Sequence, residues 1–196
     1  MLEIRIHGRG GQGAVIASKI LACAFFKEGK HVQAFPYFGA ERQGAPVTAF
    51  VRVDDEEIDL RCQIYHPSHL IVLDYSLPMD VDLTVGLKKN GVILINSARK
   101  PEEYNYPPEY NVFAIDANSI AAHYRLGTTS LPIVNSAIIG AFARITNLLW
   151  IESVSEAVIE MVPAKQEENA MAAVETYKTM DEILKKGLQP ELSAAI

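Results

Sequence analysis

Cysteine is scarce in this 196-residue chain: only Cys23 and Cys62 are present, far apart and outside any C-x-x-C pattern. Two such thiols cannot by themselves hold an iron–sulfur cluster or a structural zinc ion. Cys23 lies in an apolar helical stretch and reads as a small hydrophobe. Excess positive charge is also missing. Lys and Arg number 18 against 24 Asp and Glu, a net charge of −6, which argues against nucleic acid as a partner. No apolar run is long enough for a membrane span: the most apolar helical pattern, Ala14 to Phe26, is short and contains Ser18 and Lys19. No leader pattern precedes the first strand pattern, so the expected location is the cytoplasm. Internal repeats and low-complexity tracts are absent. The remainder is ordinary, at 49% hydrophobic and 21% charged, and predicts one domain over residues 1–190 with a loose tail at 191–196.

Leu2-Glu3-Ile4-Arg5-Ile6 alternates like a strand, and a glycine-rich turn follows. AVIASKILACAFFKEGK is apolar on nearly all sides, as expected of a helix packed between a sheet and other elements, and HVQAFP reads as a second strand. Strand, helix and strand in that order predict a parallel βαβ unit. VTAFVRV and EIDLR, split by Asp54-Asp55, predict a β-hairpin. HLIVLD, VILIN and VFAID are short apolar runs of the kind buried in parallel sheets. SLPMDVDLTVGLKKNG predicts a short helix, as does ANSIAAHYRL, and IVNSAIIGAFARITNLL a long apolar one. Gly140 inside that helix costs about 1 kcal/mol against Ala and points to a close approach by another helix or a ligand. SVSEAVIEMV and KQEENAMAAVETYKTMDEILKKG predict amphipathic helices. Together these give an α/β fold: a three-layer α/β/α sandwich with a Rossmann-like, mostly parallel sheet, helices on both faces, an inserted β-hairpin and C-terminal helices.

HGRGGQG, from His7 to Gly13, places Gly8, Gly10 and Gly13 in G-x-G-x-x-G spacing between a strand and a helix. Glycines allow close backbone approach, and free N–H groups with the helix dipole favour an anion there. The same glycines also suit a tight corner that binds nothing. A dinucleotide site needs a carboxylate at the end of the second strand, where this chain has Gln33-Ala34-Phe35-Pro36. That departure disfavours an ordinary nicotinamide dehydrogenase. A second glycine loop, YFGAERQGAPV from Tyr37 to Val47, brackets Glu41 and Arg42 between Gly39 and Gly44. Both loops follow strand ends, so both are expected on one rim of the sheet.

The three segments HGRGGQGAV, PYFGAERQGAPV and IVNSAIIGAF, in that order, resemble the gamma subunit of 2-oxoacid:ferredoxin oxidoreductases and the equivalent domain of single-chain pyruvate enzymes. The resemblance implies a complex that oxidatively decarboxylates a 2-oxoacid with coenzyme A, giving acyl-CoA, carbon dioxide and reduced ferredoxin. It implies thiamine diphosphate, Mg2+ and [4Fe-4S] clusters held by alpha, beta and delta-type subunits, with no cofactor bound by this chain alone and ferredoxin met through the complex. The P-x-x-G-A-E-R-x-G-A-P-V form resembles the pyruvate type first and the 2-oxoisovalerate type next. Asn135-Ser136-Ala137-Ile138-Ile139-Gly140-Ala141 departs from the usual N-T-x-M-x-G-A: Ser136 keeps the hydroxyl and Ile138 replaces a Met.

On this reading Gly8, Arg9, Gly10, Gly11, Gln12 and Gly13 are candidates for a coenzyme A phosphate or for the active-site rim. Gly39, Glu41, Arg42, Asn135 and Ser136 join them, and no residue of this chain is assigned the chemical step. Asn135 and Ser136 also suit capping of the helix they precede. His7 reads as a structural histidine that hydrogen-bonds its neighbours, and Asp74, at a strand end on the rim, suits either a functional carboxylate or a cap for the segment after its strand. The tyrosine-rich loop from Tyr104 to Tyr110 is a candidate subunit contact. Two alternatives stand: a self-sufficient Rossmann-type nucleotide-dependent oxidoreductase, and a purely structural assembly subunit. An exposed rim allows a homodimer when the chain is isolated.

Overall fold

A computed structural model describes residues 1–37, 44–128, 131–189 and 192. Six strands form one sheet: β1 (Leu2–Arg9), β2 (His31–Tyr37), β3 (Pro46–Asp54), β4 (His69–Val72), β5 (Val92–Asn96) and β6 (Asn111–Ile115). Their order is β2-β3-β1-β4-β5-β6. β1, β4, β5 and β6 run parallel, while β3 is antiparallel to both β1 and β2. The helices are α1 (Ala14–Lys27), α2 (Leu77–Asp80), α3 (Ala117–His123), α4 (Ala137–Thr146), α5 (Ile151–Met161) and α6 (Gln166–Lys185).

The α/β class and mostly parallel sheet stand, but the hairpin is not the expected one. β2 and β3 form it, and the nine-residue β3 inserts between β1 and β2. β1 and β2 therefore point the same way, as the parallel βαβ reading expects, but β3 separates them. EIDLR makes no strand among the described residues. Side chains take two of its carbonyls instead: the Gln33 amide donates to Ile58 O at 2.8 Å and the Arg52 guanidinium to Leu60 O at 3.5 Å, with Gln63 O just beyond the segment at 3.1 Å.

The two sheet faces are covered unequally. Residues two apart share a face. Val51, Ile4, Ile71, Leu94 and Phe113 pack with α1, α4, α5 and α6 into the main core. On the other face, Leu70, Val72, Ile93 and Ile95 form a small cluster with Leu77, Leu83 and Leu87, fringed among the described residues by Val112 and three tyrosines. That layer consists of the single turn α2, a 3-10 turn at Pro101–Tyr104 and loops. The helix expected over Ser76–Gly91 stops after four residues, for reasons the hydrogen bonds show. Asp82 Oδ1 accepts from its own neighbour Thr84, at the backbone N and at Oγ1, a local turn that competes with helix. Arg5 Nη2 donates to the carbonyls of Leu83 at 2.7 Å and Val85 at 3.1 Å, which a helix would have used internally.

Candidate functional site

The chain leaves β1 toward β2 on one side and later returns to β4 on the other. The carboxyl ends of β1 and β4 are therefore the topological switch point, where open α/β sheets bind ligands. The turn after β1 sits there. Gly10 N donates to Ala45 O at 2.9 Å and Gly44 N to Gly10 O at 3.2 Å, so Gly44 and Ala45, at the described end of the second loop, lie beside the first turn. Gly39, Glu41 and Arg42 lie outside the described residues. Gly8 still belongs to the ladder, opposite Val47.

Gln12 locks the turn. Its Oε1 accepts from Arg9 N at 2.7 Å, and its Nε2 donates to Asp74 Oδ2 at 2.7 Å. Arg9 leans over the same carboxylate: Nε is 3.5 Å from Asp74 Oδ2, Nη2 donates to Ser76 Oγ at 2.8 Å, and Nη1 to Gly44 O at 3.4 Å. Burial alone would raise the Asp74 carboxyl. Hydrogen bonds from Ser76 and Gln12, with the Arg9 charge, outweigh it and hold the group below the usual carboxylate range. Arg9 is thus a strut between two strand ends and the second loop, with its charge facing Asp74. Asp74 caps the segment it precedes: Ser76 N donates to Oδ1 at 2.9 Å.

Beside this strut, toward the helical layer, lies a cleft of about 400 Å³. Gly11, Gly13, Asn135, Lys165 and Asn169 contribute its polar edge; Ile16, Leu126, Ile133 and Val162 form its apolar wall. Three helix N-termini meet here. Gly13 precedes α1, Asn135-Ser136 precede α4, and Lys165 precedes α6. Lys165 is the one charged residue of the lining among the described residues. Gly13 has φ 82, and a Cβ there would stand 2.5 Å from Asn135 Nδ2, so position 13 needs glycine twice over. Asn135 is only 5% exposed.

Asn135 and Ser136 do not cap α4 through their side chains. Asn135 Oδ1 turns back to accept from Ser136 N at 2.8 Å, and the Ser136 hydroxyl donates to Asn169 Oδ1 on α6. Asn169 Nδ2 donates to Lys165 O at 2.9 Å. The pair thereby ties α4 to the start of α6 under the cleft. Lys165 and Asn169 were missed by the sequence reading. The only local signal was the break at Val162-Pro163 before an amphipathic run, which marks a helix start and not a site.

Two histidines, His7 and His69, are buried and held neutral. His7 Nε2 accepts from Arg5 Nε at 3.0 Å, and Thr48 Oγ1 lies 3.4 Å from Nδ1. Burial first, then the Arg5 cation, pushes its pKa down to about 3. His69 is buried against the Phe142 ring; Nδ1 accepts from Val92 N, and burial with the Lys88 charge lowers it to about 4. Both stay neutral in the fold, whereas an unfolded chain takes up protons below about pH 6.5. Stability should therefore fall as pH drops from 6.5 toward 4, by up to about 1.4 kcal/mol per pH unit for each histidine. Urea melts at pH 7, 6 and 5 check this, and His69→Phe should flatten the slope; a stability that stays level to pH 5 would contradict it. Among the described residues no group of three or more His, Cys, Asp or Glu side chains is arranged to hold a metal ion, and no helix is long and apolar enough to cross a membrane.

Residues 3–179 match the family model described as pyruvate ferredoxin/flavodoxin oxidoreductase. The chain belongs to that family. It is 49% identical over 187 residues to pyruvate synthase subunit PorC of Methanocaldococcus jannaschii, covering 95% of this chain and 99% of that one. It is 50% identical to the pyruvate/ketoisovalerate oxidoreductases common subunit gamma of Thermococcus kodakarensis, over 90% of this chain and 96% of that one. Pyruvate oxidoreductase subunit PORC from Thermotoga maritima shares the fold, with a TM-score of 0.75 and 32% identity, covering 90% of this chain and 95% of that one. The expected resemblance to gamma subunits of 2-oxoacid:ferredoxin oxidoreductases is thus met over nearly the whole chain, and such subunits are parts of oxidoreductase complexes.

Proposed function

We propose that this gamma-type chain forms part of the coenzyme A region of a complex that oxidises pyruvate, with 2-oxoisovalerate the next candidate. One observation carries the reading. Three helix N-termini border a single cleft at the sheet's switch point, Lys165 lies at its edge with its ammonium donating to Arg125 O at 2.6 Å, and no carboxylate lines it among the described residues. Such a site suits a ligand with a phosphate end and an apolar body. Coenzyme A has both. The turn Gly10-Gly11-Gln12-Gly13 and Asn135 would contact a phosphate, and Arg9 would hold the turn in shape. Substrate order follows the names of the relatives, which pair pyruvate with ketoisovalerate. Thiamine diphosphate with Mg2+ would supply the carbanion chemistry, and [4Fe-4S] clusters the electron path to ferredoxin, from alpha, beta and delta-type subunits. This chain's part is to bind and orient.

The test uses the intact complex. Gly13→Ala should raise the KM for coenzyme A about tenfold, the size of losing about 1.4 kcal/mol of binding, with kcat changed less. Arg9→Ala should raise it by a smaller factor, because its role is to position the turn. An unchanged KM for both, in a fully assembled complex, would take the cleft out of coenzyme A binding and leave this chain a structural subunit.

A further inference from the structure

The glycine turn is braced by a run of hydrogen bonds with a fixed polarity. Gln12 meets the Arg9 backbone twice: Gln12 N donates to Arg9 O at 3.0 Å, and Gln12 Oε1 accepts from Arg9 N at 2.7 Å. A backbone N–H can only donate, so it fixes which end of the Gln12 amide faces it and turns Nε2 toward Asp74. On its other side Asp74 Oδ1 accepts from Ser76 N at 2.9 Å and Ser76 Oγ at 2.6 Å. Position 74 must therefore accept from both Gln12 and Ser76, which a carboxylate does and an amide does not. Neither Gln12 nor Asp74 lines the cleft, whereas Gly11 and Gly13 do. The backbone N–H groups of Gly11 and Gly13 have no hydrogen-bond partner among the described residues.

We propose that Gln12 and Asp74 are positioning residues for the ligand of the cleft: their side chains hold the turn so that the Gly11 and Gly13 N–H groups meet the ligand, and touch no ligand themselves. The proposal rests on the coenzyme A reading above and deepens it. It also accounts for an acid placed close to an anion site. Both Asp74 oxygens are taken by donors, with Arg9 Nε 3.5 Å from Oδ2, so the charge is spent within the brace.

The experiment measures KM and kcat for coenzyme A in intact complexes carrying Gln12→Glu, Asp74→Asn or both changes, beside Gly13→Ala. Gln12→Glu keeps the shape but sets a second carboxylate against Asp74. Asp74→Asn meets a donor in either orientation of the new amide, Gln12 Nε2 on one side or Ser76 N on the other. The double variant restores the polarity, because the new carboxylate accepts from Arg9 N and from the new amide, whose oxygen accepts from Ser76 N. Each single variant should raise KM about tenfold with kcat changed less, and the double variant should return to within about threefold of wild type. Raised KM values with no recovery in the double variant would overturn the positioning role, since a Gln12 side chain touching the ligand directly gives that result. KM values that merely follow the melting midpoints across the four complexes would reduce the pair to stability alone. Wild-type KM in both single variants, while Gly13→Ala raises it, would remove the brace and leave the coenzyme A reading standing. If Gly13→Ala also leaves KM unchanged, that reading falls, and the brace has nothing to position.

Discussion

Gly140→Ala is expected to destabilise the chain by about 2–3 kcal/mol, seen as a thermal midpoint roughly 5–10 °C lower. The sign is the informative part. In an unobstructed helix interior the same change would stabilise by about 1 kcal/mol. Here a Cβ at position 140 would lie 1.9 Å from the carbonyl oxygen of Ala173 and 2.7 Å from its carbonyl carbon. Those are backbone atoms of α6, so no side chain can turn aside; the two helices must part. Both α4 and α6 are packed into the main core, so parting them opens voids around Ile139 and Ala172. Calorimetry on the purified chain decides it. A midpoint equal to or above that of the wild type would mean that the helices do not meet at this glycine.

The same contact reaches the proposed site. α4 begins beside Asn135 and Ser136, α6 begins at Lys165 and Asn169, and the Ser136–Asn169 hydrogen bond joins them. A wedge four residues further along α4 spreads the cleft that those residues line. Gly140→Ala in the complex should therefore raise the KM for coenzyme A as well as lower stability, although position 140 does not line the cleft.

This close approach was legible in the sequence, because a glycine inside an otherwise apolar helix has a propensity cost that packing must offset. The buried strands were legible for a similar reason: HLIV and VILIN are apolar on both faces, which only a sheet covered on both sides tolerates. The meeting of the first turn with Gly44 and Ala45 followed from its position after a strand end. Other features depended on partners far along the chain. Nothing in HVQAFP states that its neighbour is β3 and not β1. EIDLR alternates as a strand should, yet Arg52 and Gln33 capture the carbonyls along this stretch. Arg9 reads as a candidate cation for a phosphate, and its contact with Asp74 cannot be read from the sequence because that partner lies far along the chain. The cleft's far wall, at Lys165 and Asn169, comes from the start of a helix whose pattern announces only an amphipathic surface.

The capture by Arg52 leads to the other large effect. Arg52 is 1% exposed, among the most buried side chains in the molecule. Its Nε donates to Glu3 Oε1 at 3.1 Å, its terminal nitrogens reach Leu60 O and Gln63 O, with Cys62 Sγ at 3.6 Å, and its plane lies over the Phe35 ring. One guanidinium thus joins β1, β2, β3 and the 60–63 loop. Arg52→Met keeps much of the volume and should cost about 3–5 kcal/mol, because it leaves Glu3 and two carbonyls without their main donor. Arg52→Lys should recover little: a single ammonium cannot reproduce the fork that spans these acceptors. Adding Glu3→Gln to Arg52→Met should recover more than about 1 kcal/mol, as coupling between contacting residues requires. Lys88, 3.9 Å from Glu3 Oε2, is too exposed to replace the arginine. Urea melts of the three variants measure the energies, and limited proteolysis reads the loop directly, with cleavage expected near Arg61 only when Arg52 is lost. A cost below about 1 kcal/mol for Arg52→Met, with the loop still resistant, would mean that its carbonyls find other donors and that Glu3 is content in water.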